Sequence, residues 1–332
     1  MNVARAERAS GSASTRKFAS VAGRRVASAG LVVFLILAIA YFSAASPYFL
    51  SLKNFVNILL SVAMIGIVAS GMTLVLVGGG LDLSVGSTVG LSGTIAAWLV
   101  VQAGMPWWAG VSAGLASGLA VGVLNAAAIS YLRINSIITT LATMSIVRGV
   151  AYIYTEGQSV YVDNAALQWF GTGWLFGVPV PVILMLACFV AVWAVTRYTV
   201  FGRYVYAIGG NPIASRLAGI NVSKYVNIVF LLSGLVSALA GIVFVGLTGS
   251  AMPGAGTGYE MDVITAVLLG GTSLAGGEGS VWGTLVGVLI IGIINNGMTL
   301  LSVPPYWQIA AKGVLLLAAV SLDVARRRWS AA

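Results

Sequence analysis

Few residues in this sequence could perform covalent chemistry. The 332 residues include no histidine and a single cysteine, Cys188, which stands inside an apolar run. Ser-His-Asp and Cys-His nucleophile systems, Cys/His metal sites and an internal disulfide are therefore excluded. None of the four lysines follows a glycine, so the phosphate-binding loop of an ATPase is absent. We therefore expect a chain that is not itself an enzyme and that binds no metal or cofactor.

The carboxylates are also poorly placed for ion-coupled transport. Five acidic residues stand near apolar runs, and all lie close to the ends of those runs: Asp82, Glu260, Asp262, Glu278 and Asp323. Secondary carriers usually need a carboxylate at the membrane midplane to bind a proton or Na⁺. This placement disfavours an ATP-independent carrier, which stays as a less favoured alternative.

Two glycine clusters interrupt the apolar pattern, at 78–87 (GGGLDLSVGS) and at 270–283 (GGTSLAGGEGSVWG). Glycine-broken helices in both halves of a transporter often mark its transport route. We therefore assign the helix breaks and the pathway to Gly79, Gly80, Asp82, Ser84, Gly86, Gly271, Gly276 and Gly277. Asp82 or Ser84 is expected to cap the following helix. The alternative for Asp82 is that it serves only as this cap at the membrane boundary and has no role in the pathway.

Uncharged amides inside apolar runs add three candidates to this pathway, namely Asn125, Asn295 and Asn296. Asparagine in lipid is costly unless it is hydrogen-bonded, so these side chains face other helices or a cavity. Such a lining suits a neutral polyol, although for each residue taken singly helix packing is the more common explanation. Arg148 and Lys312 are cations inside predicted spans and need partners that the sequence does not name.

The elements that position these residues are membrane-spanning helices. The chain is 59% hydrophobic and only 8% charged, with a mean hydropathy of +1.00, whereas soluble domains carry roughly 25% charged residues. We predict an all-α, polytopic integral membrane protein with about ten transmembrane helices. The predicted spans are about 27–45, 55–77, 85–103, 108–131, 136–154, 178–196, 225–247, 260–273, 281–302 and 306–324. The eighth is short and is expected to be tilted, broken or partly outside the membrane.

Basic residues orient this scheme. With ten spans, fourteen of the seventeen Lys and Arg residues fall on one face. The positive-inside rule then makes both termini and the loop 197–224 cytoplasmic, so the net charge of +9 reports orientation rather than nucleic-acid binding. We predict a disordered basic tail at 1–26, a transmembrane domain at 27–325 and a basic tail at 326–332. The loop 155–177, which contains Trp169, Phe170, Trp174 and two carboxylates, falls on the opposite face.

A short helix interrupts the basic loop. Asn211 suits an N-cap, Pro212 the first helical position and Gly219 the residue just beyond the end, which predicts about two turns. Ile213, Leu217 and Ile220 are expected on one face, with Arg216 alongside. Helices this short are marginal alone, so the segment needs a docking surface. A helix lying on lipid headgroups is the alternative.

Four stretches resemble the permease subunit of bacterial ribose-type sugar ABC importers, within the branched-chain-type permease superfamily. They are GGGLDLSVGS (78–87), TRYTVFGRYVYAIGGNPIASRLAGINV (196–222), VLLGGTSLAGGEGSVWGTLVGVLIIGIINNGMTL (267–300) and VPPYWQIAAKGVLLLAAV (303–320). The resemblance covers nearly all of the chain past about residue 30. Leu81 stands where the family usually has isoleucine, which is a trivial change.

The resemblance implies a subunit of the bacterial inner membrane that imports a monosaccharide. Its implied partners are a second permease subunit, cytoplasmic ATPase subunits that use ATP and Mg²⁺, and a periplasmic sugar-binding protein. It also implies that the short helix seats in the ATPase as a coupling helix: Asn211, Pro212, Ile213, Arg216, Leu217, Ala218, Gly219 and Ile220. A branched-chain amino acid or nucleoside ABC permease is the alternative within the superfamily, and the identity of the sugar stays open.

Overall fold

The computed structural model describes residues 33–331, with side chains described through residue 325. The predicted tail 1–26 lies outside the described residues, and the backbone of the tail 326–332 is helical through Ala331. The described helices are α1 (Val33–Ala45), α2 (Leu52–Val77), α3 (Val85–Val101), α4 (Trp107–Ser130), α5 (Ser136–Tyr154), α6 (Ala165–Thr172), α7 (Val180–Tyr198), α8 (Val200–Gly210), α9 (Pro212–Leu217), α10 (Val222–Thr248), α11 (Tyr259–Leu269), α12 (Val281–Leu300) and α13 (Pro305–Ala331).

Every predicted span corresponds to a helix among the described residues. Seven of these helices are long and apolar enough to cross a membrane, namely α2, α4, α5, α7, α10, α12 and the apolar part of α13. The other three, α1, α3 and α11, are shorter. The eleven residues of α11 agree with the short eighth span that the sequence predicts, because glycines stand on both sides of this segment.

Close packing of small residues assembles the bundle. The most buried of the seven long helices is α2, which contacts α7, α10, α11 and α12. On α4, a Cβ at Gly118 would overlap the carbonyl oxygen of Gly234 on α10, and one at Gly122 would crowd the carbonyl oxygen of Phe230. Helices in lipid associate mainly through such close contacts. Burying an apolar side chain against another helix gains little, because lipid tails are equally apolar. The high glycine content of the sequence therefore has a direct structural use.

Short strands and one additional helix lie in segments predicted only as loops. In the segment 155–177, β1 (Val160–Tyr161) pairs antiparallel with β4 (Ser250–Ala251), and β2 (Trp174–Leu175) pairs with β3 (Val178–Pro179). The all-α prediction is therefore correct for the framework and incomplete for these loops. Backbone groups that leave a helix still need hydrogen-bond partners, and the two loops supply them to each other.

Candidate functional site

The predicted coupling segment contains a short, firmly capped helix, α9. The side chain of Asn211 accepts hydrogen bonds from the backbone N–H groups of Ile213 at 3.0 Å and Ala214 at 2.9 Å. Pro212 occupies the first helical position, as predicted. Gly219 has a φ of +83°, a left-handed conformation that favours glycine, so the chain turns away directly after the helix.

The exposed surface of α9 differs in one residue from the predicted face. Ile213 and Leu217 are 71% and 85% exposed. Arg216 is also exposed, whereas Ser215 is buried. Ile220 is partly buried and lies beyond the end of the helix, so its prediction on the Ile213–Leu217 face is wrong. The cause is the left-handed turn at Gly219, which ends the helical periodicity at Leu217.

The helix before it, α8, joins α9 to the body of the protein. It was not predicted as a separate element of the loop 197–224. Val205 and Ile208 are buried on its inner face, and the hydroxyl of Tyr206 donates a hydrogen bond to the carbonyl oxygen of Gly279 at 2.9 Å. The segment that precedes α9 is therefore a helix packed against the body of the protein rather than a flexible loop.

The end of α8 packs against both predicted glycine clusters. The N–H of Gly277 donates to the carbonyl oxygen of Val77 at 2.8 Å, and a Cβ at Gly209 would overlap both of these groups. A Cβ at Gly276 would in turn come within 2.7 Å of the Cα of Gly79. We call the group formed by Gly79, Gly209, Gly210, Gly276 and Gly277 the glycine junction. It brings the end of α2, the end of α8 and the loop 270–280 into direct backbone contact.

Two further predicted glycines, Gly80 and Gly271, have surroundings of their own. Gly80 faces the ring of Phe230, and Gly271 has a φ of +88° just after α11. A cavity of about 250 Å³ lies next to Gly79 and Gly80 and extends to Val205 and Phe230. The junction therefore borders a cavity at Gly79.

Asp82 and Ser84 belong to a buried hydrogen-bond cluster rather than to an open surface. Asp82 accepts from the N–H and the hydroxyl of Ser84 at 3.0 and 2.6 Å, and from the hydroxyl of Ser233 on α10 at 2.7 Å. The Asn125 amide donates to the Ser84 hydroxyl at 2.9 Å. Burial raises the pKa of Asp82, and the hydrogen bonds from Ser84 and Ser233 oppose that shift. Asp82 thus joins α3 to α4 and α10.

Ser84 stands at the N-cap position of α3, but its side chain makes no capping hydrogen bond. Asp82 accepts a hydrogen bond from the Ser84 N–H instead, so of the two predicted alternatives Asp82 is the one that satisfies a backbone amide at the start of α3. Further along α3, Gly86 packs against the carbonyl oxygen of Gly256.

The two predicted amides on α12 have different surroundings. Asn296 exchanges two hydrogen bonds with Asn54 on α2, at 2.9 and 2.8 Å. That reciprocal pair binds α2 to α12. Asn295, one position earlier, is only partly buried, and its backbone carbonyl accepts from Thr299. The structure therefore does not gather the predicted pathway residues into one site.

The structure supplies the cation partners that the sequence did not name. Lys312 on α13 forms an ion pair of 2.7 Å with Asp262 on α11. Arg148 on α5 donates to the backbone carbonyl oxygens of Pro253 and Ala255 at 2.7 and 2.6 Å. The Lys312 pairing had a weak sequence signal, since Asp262 opens the short eighth span. The carbonyl partners of Arg148 could not be predicted from the sequence, because every residue carries a backbone carbonyl group.

The family comparison matches most of the chain. Residues 54–320 match the family described as "Branched-chain amino acid transport system / permease component". The chain belongs to this permease family. It is a multi-pass membrane protein, and its family role is that of a transport component distinct from an ATPase.

Individual relatives align over nearly their whole length. The chain is 46% identical to the "Ribose import permease protein RbsC" of Escherichia coli (strain K12) over 296 residues, which is 88% of this chain and 92% of the relative. It is 43% identical to the protein of the same name from Bacillus subtilis (strain 168), over 89% and 90% of the two chains. It is 42% identical to the "L-arabinose transport system permease protein AraH" of Escherichia coli (strain K12), over 88% and 89%.

Proposed function

We propose that this chain is the membrane-spanning permease subunit of an ATP-driven importer for a monosaccharide of the ribose or arabinose type. The observation that carries the proposal is the 46% identity to a ribose import permease across 92% of that relative. The relatives named for arabinose widen the class to pentoses. A branched-chain amino acid permease is less well supported, because the relatives of 40–46% identity are named for sugars.

The proposed topology has ten spans, with both termini in the cytoplasm of a bacterium and the spans in its inner membrane. Counting α1, α3 and α11 with the seven long helices gives ten. The same count places fourteen of the seventeen basic residues on one face, in agreement with the positive-inside rule. Both α8 and α9 then lie in the cytoplasm, and the strands β1 to β4 lie outside.

In this arrangement, α9 is the contact for a separate ATPase subunit. Ile213 and Leu217 offer two exposed apolar side chains on a rigid, capped helix, which is the type of anchor that partner grooves bury. ATP and Mg²⁺ are bound by that partner, since this sequence has no phosphate-binding loop. Movement of α9 passes through α8 to the glycine junction, where it reaches both α2 and the loop after α11.

The remaining partners are those that the similarity to sugar import permeases implies, placed on the proposed topology. A periplasmic sugar-binding protein delivers the solute at the outer loops 46–54, 155–177 and 249–259, and a second permease subunit, identical or related, completes the pathway. The aromatic hairpin formed by β2 and β3 carries Phe176, which is 94% exposed at its tip.

The contact with the ATPase is tested by copurification. We expect the double substitution Ile213→Asp and Leu217→Asp to abolish recovery of the ATPase with the tagged permease. Leu132→Asp is the matched control, because Leu132 is 71% exposed and lies in a different loop on the same proposed face. Full recovery of the ATPase with the double variant would refute the assignment of α9. Pentose uptake by the reconstituted complex, dependent on ATP and the binding protein, tests the function itself.

A further inference from the structure

Arg148 is a cation held in the interior of an apolar helix. At 1.5 Å per residue it lies about 18 Å along α5 from Ser136, well inside the span. One terminal nitrogen, Nη1, donates to the carbonyl oxygens of both Pro253 and Ala255. The guanidinium therefore reaches from α5 to the loop that joins β4 to α11.

Two glycines on α3 make room for this group and for a carboxylate. A Cβ at Gly90 would come within 2.8 Å of Arg148 Nη1. One helical turn earlier, a Cβ at Gly86 would come within 2.6 Å of Oε2 of Glu260, the second residue of α11. Arg148 and Glu260 thus pack against successive turns of the same helix, α3, although they come from two different helices.

Both charged groups keep unused hydrogen-bonding capacity. A guanidinium has five N–H donors, and in residues 33–325 the hydrogen bonds of Arg148 all come from Nη1. Within the same range, Glu260 takes part in no side-chain hydrogen bond, and the two side chains form no direct ion pair, although they interact electrostatically. Both are only partly buried. Charged groups in a partly desolvated site are costly unless further partners satisfy them.

We propose that Arg148 and Glu260 form a contact point for the hydroxyl groups of the transported sugar. A hydroxyl group both accepts and donates, so one vicinal diol can accept from Arg148 Nη2 and donate to the Glu260 carboxylate. Hydrophobic side chains would provide neither this donor nor this acceptor. The inference rests on the proposed function, and in the proposed topology the contact lies in the outer half of the membrane.

A purely structural role is the competing explanation, in which Arg148 only clamps the loop 252–258. The two roles differ in how they respond to the sugar. Loss of a clamp lowers the uptake of every sugar by the same factor. Loss of a hydroxyl contact lowers the uptake of a sugar that has that hydroxyl and spares a sugar that lacks it.

The test uses the complete complex of permease, ATPase and binding protein in proteoliposomes. Uptake of D-ribose, 2-deoxy-D-ribose, 3-deoxy-D-ribose and L-arabinose is measured for the unaltered chain, Glu260→Gln and Arg148→Gln. The ratio of variant to unaltered uptake is taken for each sugar, which cancels the preferences of the binding protein. Ser145→Ala is the control, because Ser145 is exposed on α5 and bonds only within its own helix.

We expect Glu260→Gln to lower D-ribose uptake about tenfold, because a neutral amide oxygen accepts a hydrogen bond from a hydroxyl group more weakly than a carboxylate does. The loss should differ by at least severalfold between D-ribose and one of the other sugars. An equal loss for all carried sugars, or no loss, would overturn the inference. If Arg148→Gln does not fold, the nearly isosteric Glu260→Gln decides alone. Absence of ATP-dependent uptake by the unaltered complex would instead contradict the proposed function.

Discussion

A matched pair of glycine substitutions tests whether the glycine junction transmits force. Gly209 and Gly210 are adjacent, and both are helical residues at the end of α8. Their surroundings differ sharply: a Cβ at Gly209 would overlap the Val77 carbonyl and the Gly277 amide, whereas the nearest atom to a Cβ at Gly210 lies 4.0 Å away. Alanine at either position should gain about 1 kcal/mol in helix propensity.

The expected magnitudes follow from this difference. Gly209→Ala adds overpacking, which costs about 1–3 kcal/mol, and breaks the Gly277–Val77 hydrogen bond, which costs about 1–3 kcal/mol when buried groups lose their partners. Gly210→Ala carries neither cost. The two variants should therefore differ by about 2–6 kcal/mol in the free energy of unfolding, with Gly210→Ala equal to or slightly more stable than the unaltered chain.

The functional readout is the ratio of sugar transported to ATP hydrolysed by the reconstituted complex. We expect Gly209→Ala to separate α8 from α2 and the loop 270–280, so that hydrolysis continues while uptake falls at least severalfold. Gly210→Ala should keep both activities. Thermal unfolding of the purified subunits gives the stability comparison. If the two variants share the same unfolding temperature and the same transport ratio, the close backbone contact has no mechanical role and the reasoning fails.

Three further predictions concern single contacts. Lys312→Met should destabilise the protein by about 3–5 kcal/mol, because it leaves the buried Asp262 unpaired. Adding Asp262→Leu should restore most of this loss in thermal unfolding. If the losses of the two single variants simply add, the pairing is contradicted. Asn211→Ala should weaken ATPase binding in a pull-down by removing two capping bonds worth about 1 kcal/mol, whereas Asn211→Ser should bind normally. Asn296→Leu should cost about 1–3 kcal/mol by orphaning Asn54, and an unchanged unfolding temperature would count against the amide pair.

Much of the framework could be predicted from sequence because lipid imposes strong composition rules. Long apolar runs and glycine breaks located the seven helices of the described residues that are long enough to cross a membrane, and the short α11. The cap at Asn211 was also predictable, because its mechanism is local. Local chemistry and hydropathy act within a few residues, so they can be read along the chain.

Contacts between distant segments could not be predicted in this way. Both glycine clusters were visible, but their meeting with Gly209 depends on how α8 folds back onto α2. The partners of Arg148 are backbone carbonyls, which any sequence would supply. The buried environment of Asp82 depends on Ser233, 151 residues further along the chain. These features arise from packing, which hydropathy does not encode.

The central claim is that α9 lies in the cytoplasm, available to an ATPase. Ala214 is exposed on α9, whereas the adjacent Ser215 is buried and would be a poor probe. We would label Ala214→Cys in a Cys188→Ser background with a membrane-impermeant maleimide, using Thr257→Cys as the control for the opposite face. The account predicts labelling at position 214 only after the cells are permeabilised, and at position 257 in intact cells. Labelling of position 214 in intact cells would contradict it.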